Sequence, residues 1–317
     1  MLFLDAETVE RTTPWTALME ALAQALRAGT THSPDRHVHD VAQPDGSTGA
    51  LLLMPSWVDN EAVGVKVVTY FPANASSEHP TVNAAYLLFD GVTGLPTATI
   101  DGDALTARRT AAVSALAARH LARPDATRLL IVGTGQLAPN LALAHAAERD
   151  LEHVAVWGRN AEAAATTAAT LADQGLPAIA VDDLAGAVSN AHIISCATGA
   201  TSPLIHGSWL APGTHVDLVG GFRPDMREAD DDVVRRSTVF VDTAAGASAS
   251  GDLAQPTESG ILTIDDIAAD LAALVSGDHP GRRSEAEITL FKSAGFAAAD
   301  LAAARLVAGS VGGAAGA

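Results

Sequence analysis

A glycine-rich turn between a buried strand and a helix constrains the fold of this chain more than any other feature. The segment reads LLIVGTGQLAPNLALA, with Gly133, Gly135 and Ala138 at the spacing G-x-G-x-x-A. The first glycine permits a tight turn, the second lets a pyrophosphate approach the backbone, and the third small residue lets the helix pack closely. The segment therefore predicts dinucleotide binding at a helix start. The alternative is a glycine turn in an α/β protein without a cofactor.

Strands and helices alternate after Pro124. Six short apolar segments follow one another there, and Ala-rich helical stretches separate the first few. This alternation is typical of a parallel sheet with right-handed crossovers. The candidate strands are 128–133, 153–158, 178–181, 191–198, 214–221 and 238–242.

The remainder of the chain has a different pattern. Residues 1–30 predict a strand followed by an amphipathic helix, and 36–101 contain several short strands bounded by Pro, Gly and Asp. A helix is expected over 104–122, where Arg123-Pro124 ends it, and another over 291–308. The fold class is therefore α/β, with a parallel sheet and a second group of strands.

The composition excludes several functional classes. Nineteen basic residues stand against 37 acidic ones, for a formal net charge of −18, so neither nucleic acid nor a membrane is expected as a partner. A single cysteine, Cys196, excludes a disulfide framework and a thiolate zinc site. His37-x-His39 lacks a third ligand at a sensible spacing, so no metal is expected. With no signal-peptide pattern and no spanning apolar stretch, a cytoplasmic protein is predicted.

The end of the second strand of the dinucleotide unit indicates which cofactor binds. NAD enzymes place an acid there for the ribose 2′-hydroxyl, but this chain has Gly158, Arg159 and Asn160. A guanidinium offers a bidentate partner to a 2′-phosphate. The turn therefore favours NADPH, with NADH as a weaker substitute. The alternative is that Arg159 is an ordinary solvated residue at a helix start.

Three cations stand in unusual contexts for so acidic a chain. Lys66 lies inside the apolar segment VGVKVVTY, Arg109 follows Arg108 in an apolar helix, and Arg36 precedes a strand. A mid-strand ammonium is costly unless it is paired or faces a polar cavity. Taken alone, Lys66 could belong to an edge strand, but the three cations together suit a small carboxylate substrate.

Several segments in a fixed order resemble the ornithine cyclodeaminase/mu-crystallin family. The resemblance implies a Rossmann-type domain, 123–291, inserted into a substrate-binding and dimerisation domain of residues 1–122 plus 292–317. It also implies a homodimer. The segments are VKVVTYFP, DGDALTARRTAAVSALAARHL, VGTGQ, VWGRN, VGGFRPDMREAD, SGDL and FKSAGFAAAD.

The resemblance also implies the site residues. Residues matching Arg36, Lys66 and Arg109 hold the substrate carboxylate in the family, and Lys66 and Arg109 are the candidate catalytic residues. Positions that match dinucleotide contacts are Thr81, Thr110, Gly133, Gly135, Gln136, Gly158, Arg159, Asn160, Thr198, Val219 and Ser293.

One departure from the family bears on the reaction. Cyclodeaminases carry an aspartate directly after the Gly-Gly of the VGG segment, and this chain has Phe222 there, with Asp225 three residues on as a possible substitute. Oxidising ornithine needs a base, whereas a protonated cyclic imine accepts hydride directly. The chain looks most like bacterial ketimine reductases, which convert Δ1-pyrroline-2-carboxylate to L-proline and Δ1-piperideine-2-carboxylate to L-pipecolate.

Three other functions stay open from the sequence. The first is an ornithine cyclodeaminase, and the second is an enzyme resembling alanine dehydrogenase that uses pyruvate and ammonia. The third is a ligand-binding protein that keeps NADPH as a structural component. The resemblance to ketimine reductases predicts an NAD(P)H-dependent oxidoreductase acting on a small cyclic imino acid.

Overall fold

The computed structural model describes residues 1–314, apart from the side chains of 75–76, 247–249 and 313–314. The chain forms two compact units: unit 1 contains 1–109 and, of the described residues, 296–314, and unit 2 contains 110–295. The predicted boundaries, 122/123 and 291/292, therefore lie 13 and four residues from these breaks. The first break falls inside a continuous helix, which leaves no loop signal in the sequence. The roles of the two domains stay a prediction.

The described residues contain both the predicted strands and the predicted helices. The strands are β1 (Leu2–Leu4), β2 (Thr31–His32), β3 (His37–Ala42), β4 (Thr48–Val58), β5 (Ala62–Tyr70), β6 (Val82–Asp90), β7 (Pro96–Asp101), β8 (Arg128–Val132), β9 (His153–Trp157), β10 (Ala178–Ala180), β11 (Ile193–Cys196), β12 (His215–Leu218), β13 (Ser237–Val241), β14 (Ile267–Asp270) and β15 (Ile288–Lys292). The α-helices are α1 (Ala6–Thr12), α2 (Trp15–Ala28), α3 (Gly102–Leu121), α4 (Leu137–Glu148), α5 (Ala161–Asp173), α6 (Leu184–Asn190), α7 (Asp231–Arg236), α8 (Ala244–Ala249), α9 (Gly251–Glu258), α10 (Leu271–Ser276) and α11 (Ala297–Ala314).

Unit 1 is built on a mostly antiparallel sheet in the order β1-β7-β6-β5-β4-β2, with β3 also paired to β4. The strands alternate between a buried and a more open face, as period-two side chains require. On β5, Ala62, Gly64 and Lys66 are buried, whereas Val63 and Val65 lie on the more open face. Helix α11 packs on β4 and β5 and contacts α2. The buried face of this sheet therefore carries Lys66 into the core of unit 1.

Unit 2 contains an eight-stranded parallel sheet in the order β10-β9-β8-β11-β12-β15-β13-β14. The strand order reverses between β8 and β11, which is the topological switch point of a doubly wound sheet. The predicted α/β fold class with a Rossmann-type parallel sheet is confirmed, and all six candidate strands are present. In the described part of the chain, no helix combines the length and apolarity needed to cross a membrane.

The predicted final helix is wrong at its start. Phe291 and Lys292 end strand β15, and the helix runs over Ala297–Ala314. A turn between the two elements contains Gly295 at φ 79°, a conformation that favours glycine. Strand β14 and most of β15 were not predicted from the sequence, because each is a short apolar segment that periodicity cannot separate from a helix.

Candidate active site

The position of Lys66 follows from the register of the unit 1 sheet. Its neighbours across the sheet are Met54 on β4 and Tyr86 on β6, and all three are buried. Lys66 is only 2% exposed, so it belongs neither to an edge strand nor to a solvated face. Its ammonium therefore needs a partner inside the protein.

That partner is Asp300 on α11, which also binds Arg109. The Lys66 Nζ atom lies 3.0 Å from Oδ1 and 2.9 Å from Oδ2 of Asp300, and Arg109 Nε donates to Oδ1 at 2.8 Å. Arg109 is 4% exposed and Asp300 0% exposed. Two of the three cations singled out in the sequence thus meet at one buried carboxylate.

Sequence reasoning missed Asp300 as a functional residue. Its signal was present, because a charged residue inside the apolar helix segment FAAADLAAARL is as unusual as a lysine inside a strand. No local spacing, however, indicated which cation it would meet.

The cluster carries surplus positive charge. Burial lowers the pKa of Lys66 to about 8, Arg109 and Arg36 act in the same direction, and Asp300 opposes them. Within the described residues, Arg109 Nη1 is buried without a hydrogen-bond partner. A buried unpartnered guanidinium nitrogen beside a second cation fits an anionic group of a ligand.

Arg108 has a different role from its neighbour. Its guanidinium lies 3.5 Å from the ring centroid of Trp15, and its Nε atom donates to Thr13 Oγ1 at 3.2 Å. These contacts tie helix α3 to the turn between α1 and α2. Arg108 therefore stabilises unit 1, and the described contacts do not bring it to Asp300.

The residues expected to contact a dinucleotide in unit 2 share one structural position. Thr110 is the exception, because it is buried in α3. Each of the others lies in the segment that directly follows the carboxyl end of a strand. Because β9, β8, β11, β12 and β15 are adjacent and parallel, these residues lie along one edge of the sheet. They are Gly133, Gly135 and Gln136 after β8, Gly158, Arg159 and Asn160 after β9, Thr198 after β11, Val219 after β12, and Ser293 after β15.

The glycine turn after β8 fits a pyrophosphate. Gly133 has φ 120°, and an added Cβ would lie 2.5 Å from the carbonyl oxygen of Ala197. At Gly135 an added Cβ would meet no atom within 4 Å, so the backbone there is open to a ligand. Helix α4 begins beside it with no side-chain cap. The Ala138 N–H already donates to the Gly135 carbonyl oxygen at 3.0 Å and Pro139 has no N–H, so in the first turn it is the Leu137 N–H that is available to an anion.

The turn after β9 contains Gly158, Arg159 and Asn160 and no acidic residue. An added Cβ on Gly158 would lie 2.5 Å from Cγ2 of Thr134, so this position favours glycine. The Asn160 side chain caps α5 by accepting hydrogen bonds from the backbone N–H groups of Glu162 and Ala163. Arg159 is exposed. No acidic side chain occupies the position that would repel a phosphate.

Thr81 lies in unit 1, where its carbonyl oxygen accepts a 2.8 Å hydrogen bond from the Phe71 N–H. Its suggested contact with the dinucleotide stays a prediction, as do the other assigned contacts.

Buried carboxylates, which sequence reasoning missed, hold the loops at this edge. Glu228 accepts hydrogen bonds from the N–H groups of Thr198 at 2.7 Å and Gly220 at 2.7 Å, so one side chain joins the ends of β11 and β12. Asp252 accepts from the Glu228 N–H at 2.6 Å and from Lys292 Nζ at 2.9 Å. Their only sequence signal was a position inside family-like segments.

A similar carboxylate orders the loop after β15. Asp242 Oδ2 accepts hydrogen bonds from the Ala294 N–H at 2.8 Å and the Gly295 N–H at 2.6 Å, and from Ser293 Oγ at 3.3 Å. Ser293 is therefore held by Asp242 through its hydroxyl and by the Leu218 carbonyl oxygen of β12, which accepts from its N–H at 3.0 Å.

Asp225 is poorly suited to replace the missing base. It is exposed, and Arg223 binds both of its carboxylate oxygens, at 2.8 and 2.6 Å. The hydrogen bonds from Arg223 lower its pKa below the usual range. A carboxylate held in this way is a weak proton acceptor. Phe222, at the position of the aspartate expected in cyclodeaminases, is 37% exposed and offers no titratable group.

The strand order and the open glycine turn define a nucleotide-binding protein of the Rossmann type. The chain belongs to the ornithine cyclodeaminase/mu-crystallin family, whose sequence pattern matches residues 1–314. The resemblance inferred from the motifs is therefore confirmed.

Three relatives illustrate the range of this similarity. The Δ1-pyrroline-2-carboxylate reductase of Paracoccus denitrificans is 40% identical over 90% of each chain. The Thermococcus litoralis enzyme of the same name, solved with NADH and L-proline, is 33% identical with a TM-score of 0.94, covering 99% of this chain and 98% of that one. An archaeal alanine dehydrogenase dimer with bound NAD is 26% identical with a TM-score of 0.92, covering 99% and 97%. A nicotinamide cofactor is common to both of these solved relatives.

Gly135 allows the glycine turn to be tested without disturbing the fold. Gly135→Ala should leave the melting temperature unchanged, because the new Cβ meets no protein atom within 4 Å. It should weaken nicotinamide-cofactor binding about tenfold or more, or ~1.4 kcal/mol, by filling the space of the pyrophosphate. Fluorescence titration gives the Kd. Gly309→Ala in α11, also with nothing within 4 Å, is the control and should keep full affinity. Unchanged affinity in Gly135→Ala would refute the assignment.

Proposed function

We propose that this protein is an NADPH-dependent reductase of small cyclic imino acids, forming L-proline from Δ1-pyrroline-2-carboxylate and L-pipecolate from Δ1-piperideine-2-carboxylate. The observation that carries the proposal is the buried Lys66–Asp300–Arg109 cluster with its surplus positive charge. The similarity to reductases of the same reaction over 90% of the chain supports it.

In this proposal the side chains of the protein orient the substrate and place positive charge around its carboxylate. Arg109 and Arg36 bind the substrate carboxylate, and the unpartnered Nη1 of Arg109 supplies a donor for it. Lys66 donates a hydrogen bond to the same carboxylate and sets the local charge. Bound NADPH supplies the hydride that C2 of the imine accepts. Fixing the substrate carboxylate restricts the orientation of the imine carbon, which is the main contribution expected of these side chains.

The groups available for proton transfer favour reduction over cyclodeamination. Oxidising an amino acid requires a base that takes a proton from its ammonium group. Phe222 cannot do so, and Asp225 is held by Arg223 with a lowered pKa. A cyclic imine that takes its proton from water before reduction needs no such base. The same reasoning disfavours ornithine as substrate.

The direct test is the loss of reduced-nicotinamide absorbance with Δ1-pyrroline-2-carboxylate. The protein should oxidise NADPH rapidly, and Lys66→Ala should lower kcat/KM about a hundredfold or more while NADPH binding is retained, because the substrate loses a charged hydrogen-bond partner (~1.5–3 kcal/mol) and Asp300 is left unpaired. Near-normal turnover by Lys66→Ala would refute the site.

The alternatives predict different results in the same assay. Ammonia-dependent oxidation with pyruvate would indicate an alanine dehydrogenase, and ammonia release from ornithine would indicate a cyclodeaminase. Tight binding of an apolar carboxylate with no turnover of any imine would indicate a ligand-binding protein.

The preference for NADPH rests on Arg159 and has its own test. Arg159→Ala should raise KM for NADPH about 10- to 100-fold and leave KM for NADH unchanged, because a charge-assisted bond to the 2′-phosphate is worth ~1.5–3 kcal/mol. Steady-state kinetics with both cofactors measure this. Arg235→Ala, which removes another exposed guanidinium of unit 2, is the matched control. Equal losses with NADPH and NADH would contradict the role.

We also propose a homodimer formed through the more open face of the unit 1 sheet. Apolar residues line that face on three adjacent strands, including Leu53, Val65 and Leu87, and each is only half-buried in the isolated chain. Contiguous apolar patches of this kind indicate an interface. An archaeal relative is a dimer.

Substitution within this face tests the assembly. Leu53→Asp should convert a dimer to a monomer of 32.2 kDa in sedimentation velocity, because it places a charge in the apolar contact. Val92→Asp, at a residue 74% exposed between β6 and β7, should leave the mass unchanged. A wild-type monomer at micromolar concentration would rule out this interface.

A further inference from the structure

We infer that Asp300 is a positioning residue: its carboxylate holds Lys66 as an ammonium and orients Arg109, so that both cations face an anionic substrate. This inference rests on the proposed function and deepens it by naming the group that prepares the two substrate-binding cations. Neither the motifs nor the named relatives assign a role to this aspartate.

The contacts of Asp300 are the first argument. Within the described residues its hydrogen bonds and ion pairs go to two side chains, Lys66 and Arg109, and to no backbone group. It is completely buried on α11. The buried Glu228, Asp242 and Asp252, by contrast, each accept hydrogen bonds from backbone N–H groups of loops.

Asp252 provides that contrast. It is as buried as Asp300 and also pairs with a lysine, Lys292, at 2.9 Å. Its other oxygen, however, accepts from the backbone N–H groups of Glu228 and Ala229, at 2.6 and 3.3 Å. The Asp252 pair therefore holds a loop, whereas the Asp300 cluster holds two side chains.

The geometry at Arg109 is the second argument. Asp300 receives the Nε–H, and Nη1 stays unpartnered among the described residues. Because a guanidinium is planar, one bond at Nε restricts the direction in which the terminal nitrogens point. Asp300 thus orients the guanidinium group of Arg109 and leaves one terminal nitrogen as a donor for a ligand.

The charges around Lys66 are the third argument. Arg109 and Arg36 repel its ammonium, while Asp300 and the half-buried Asp103 attract it. Tyr86, the neighbour of Lys66 on strand β6, is neutral, since burial raises the pKa of its hydroxyl. Of the two acids, Asp300 is the one with a direct bond to Lys66. Without it, a buried lysine beside two arginines would lose its proton more readily.

The two lysines of the chain make a direct test possible. Protein labelled with [13Cε]lysine should give two lysine side-chain signals, and Lys66→Arg assigns one of them. In Asp300→Asn the Lys66 signal should titrate about one pH unit or more below its wild-type position, because the stabilising charge is gone. In Asp252→Asn, the matched control, the Lys66 signal should not move. No shift in Asp300→Asn would overturn the inference.

Kinetics give a second readout that a structural role would not move. Because Lys66 must be charged to bind the carboxylate, the alkaline limb of kcat/KM for the imine should move to lower pH in Asp300→Asn, with Kd for NADPH unchanged. In Asp252→Asn that limb should stay in place. A lowered melting temperature with an unshifted pH profile would make Asp300 a structural residue only.

A second variant and the NMR readout keep the test decisive. If Asp300→Asn does not fold, Asp300→Glu retains the charge but displaces it, so the Lys66 titration should stay near wild type while kcat/KM falls at least tenfold. A Lys66 titration lowered in Asp300→Glu would overturn the inference. If the wild-type protein reduces no imine, the proposed function fails, yet the lysine titration still decides whether Asp300 controls Lys66.

Discussion

Buried charge is the interaction on which both units of this protein depend. An ammonium group in an apolar interior is costly unless a carboxylate and hydrogen bonds compensate it. Both lysines of the chain are in this situation, and each is paired with one buried aspartate: Lys66 with Asp300, and Lys292 with Asp252. Removing one partner of such a pair leaves an uncompensated charge, at a cost of ~3–5 kcal/mol. The two pairs therefore restrict the positions of the strands and helices that carry them.

In unit 2, buried acidic side chains fix the loops at the edge of the sheet where the strands end. Glu228 and Asp242 bind backbone N–H groups of the loops after β11, β12 and β15, which would otherwise be unsatisfied. Side chains thus fix those loops, while the turn at Gly135 and the uncapped start of α4 stay open. An anion can meet the Leu137 N–H there, since the Ala138 N–H is already bonded to Gly135 and Pro139 has none.

Unit 1 uses buried charge differently. Two cations share one carboxylate, so positive charge remains, and a nitrogen of Arg109 that has no partner among the described residues is held within the core. Such a site can bind and orient a carboxylate. Reduction of a preformed imine needs orientation more than proton abstraction. The chemistry of the cluster and the presence of Phe222 in place of the cyclodeaminase aspartate therefore both favour the proposed reduction.

The sequence by itself determined the local features of this protein. The glycine turn follows from residues adjacent in the chain, the parallel strands follow from alternating apolar segments, and the unusual context of Lys66 is visible within eight residues.

The tertiary structure alone decided which residues the buried charged side chains contact. Asp300 lies 234 residues from Lys66 and 191 from Arg109, and Glu228 joins two loops that follow different strands. The same holds for the break between the units, which falls inside the continuous helix α3. The physical reason is that local periodicity reports which residues are buried, whereas the partner of a buried charge is set by elements that meet only when the chain folds.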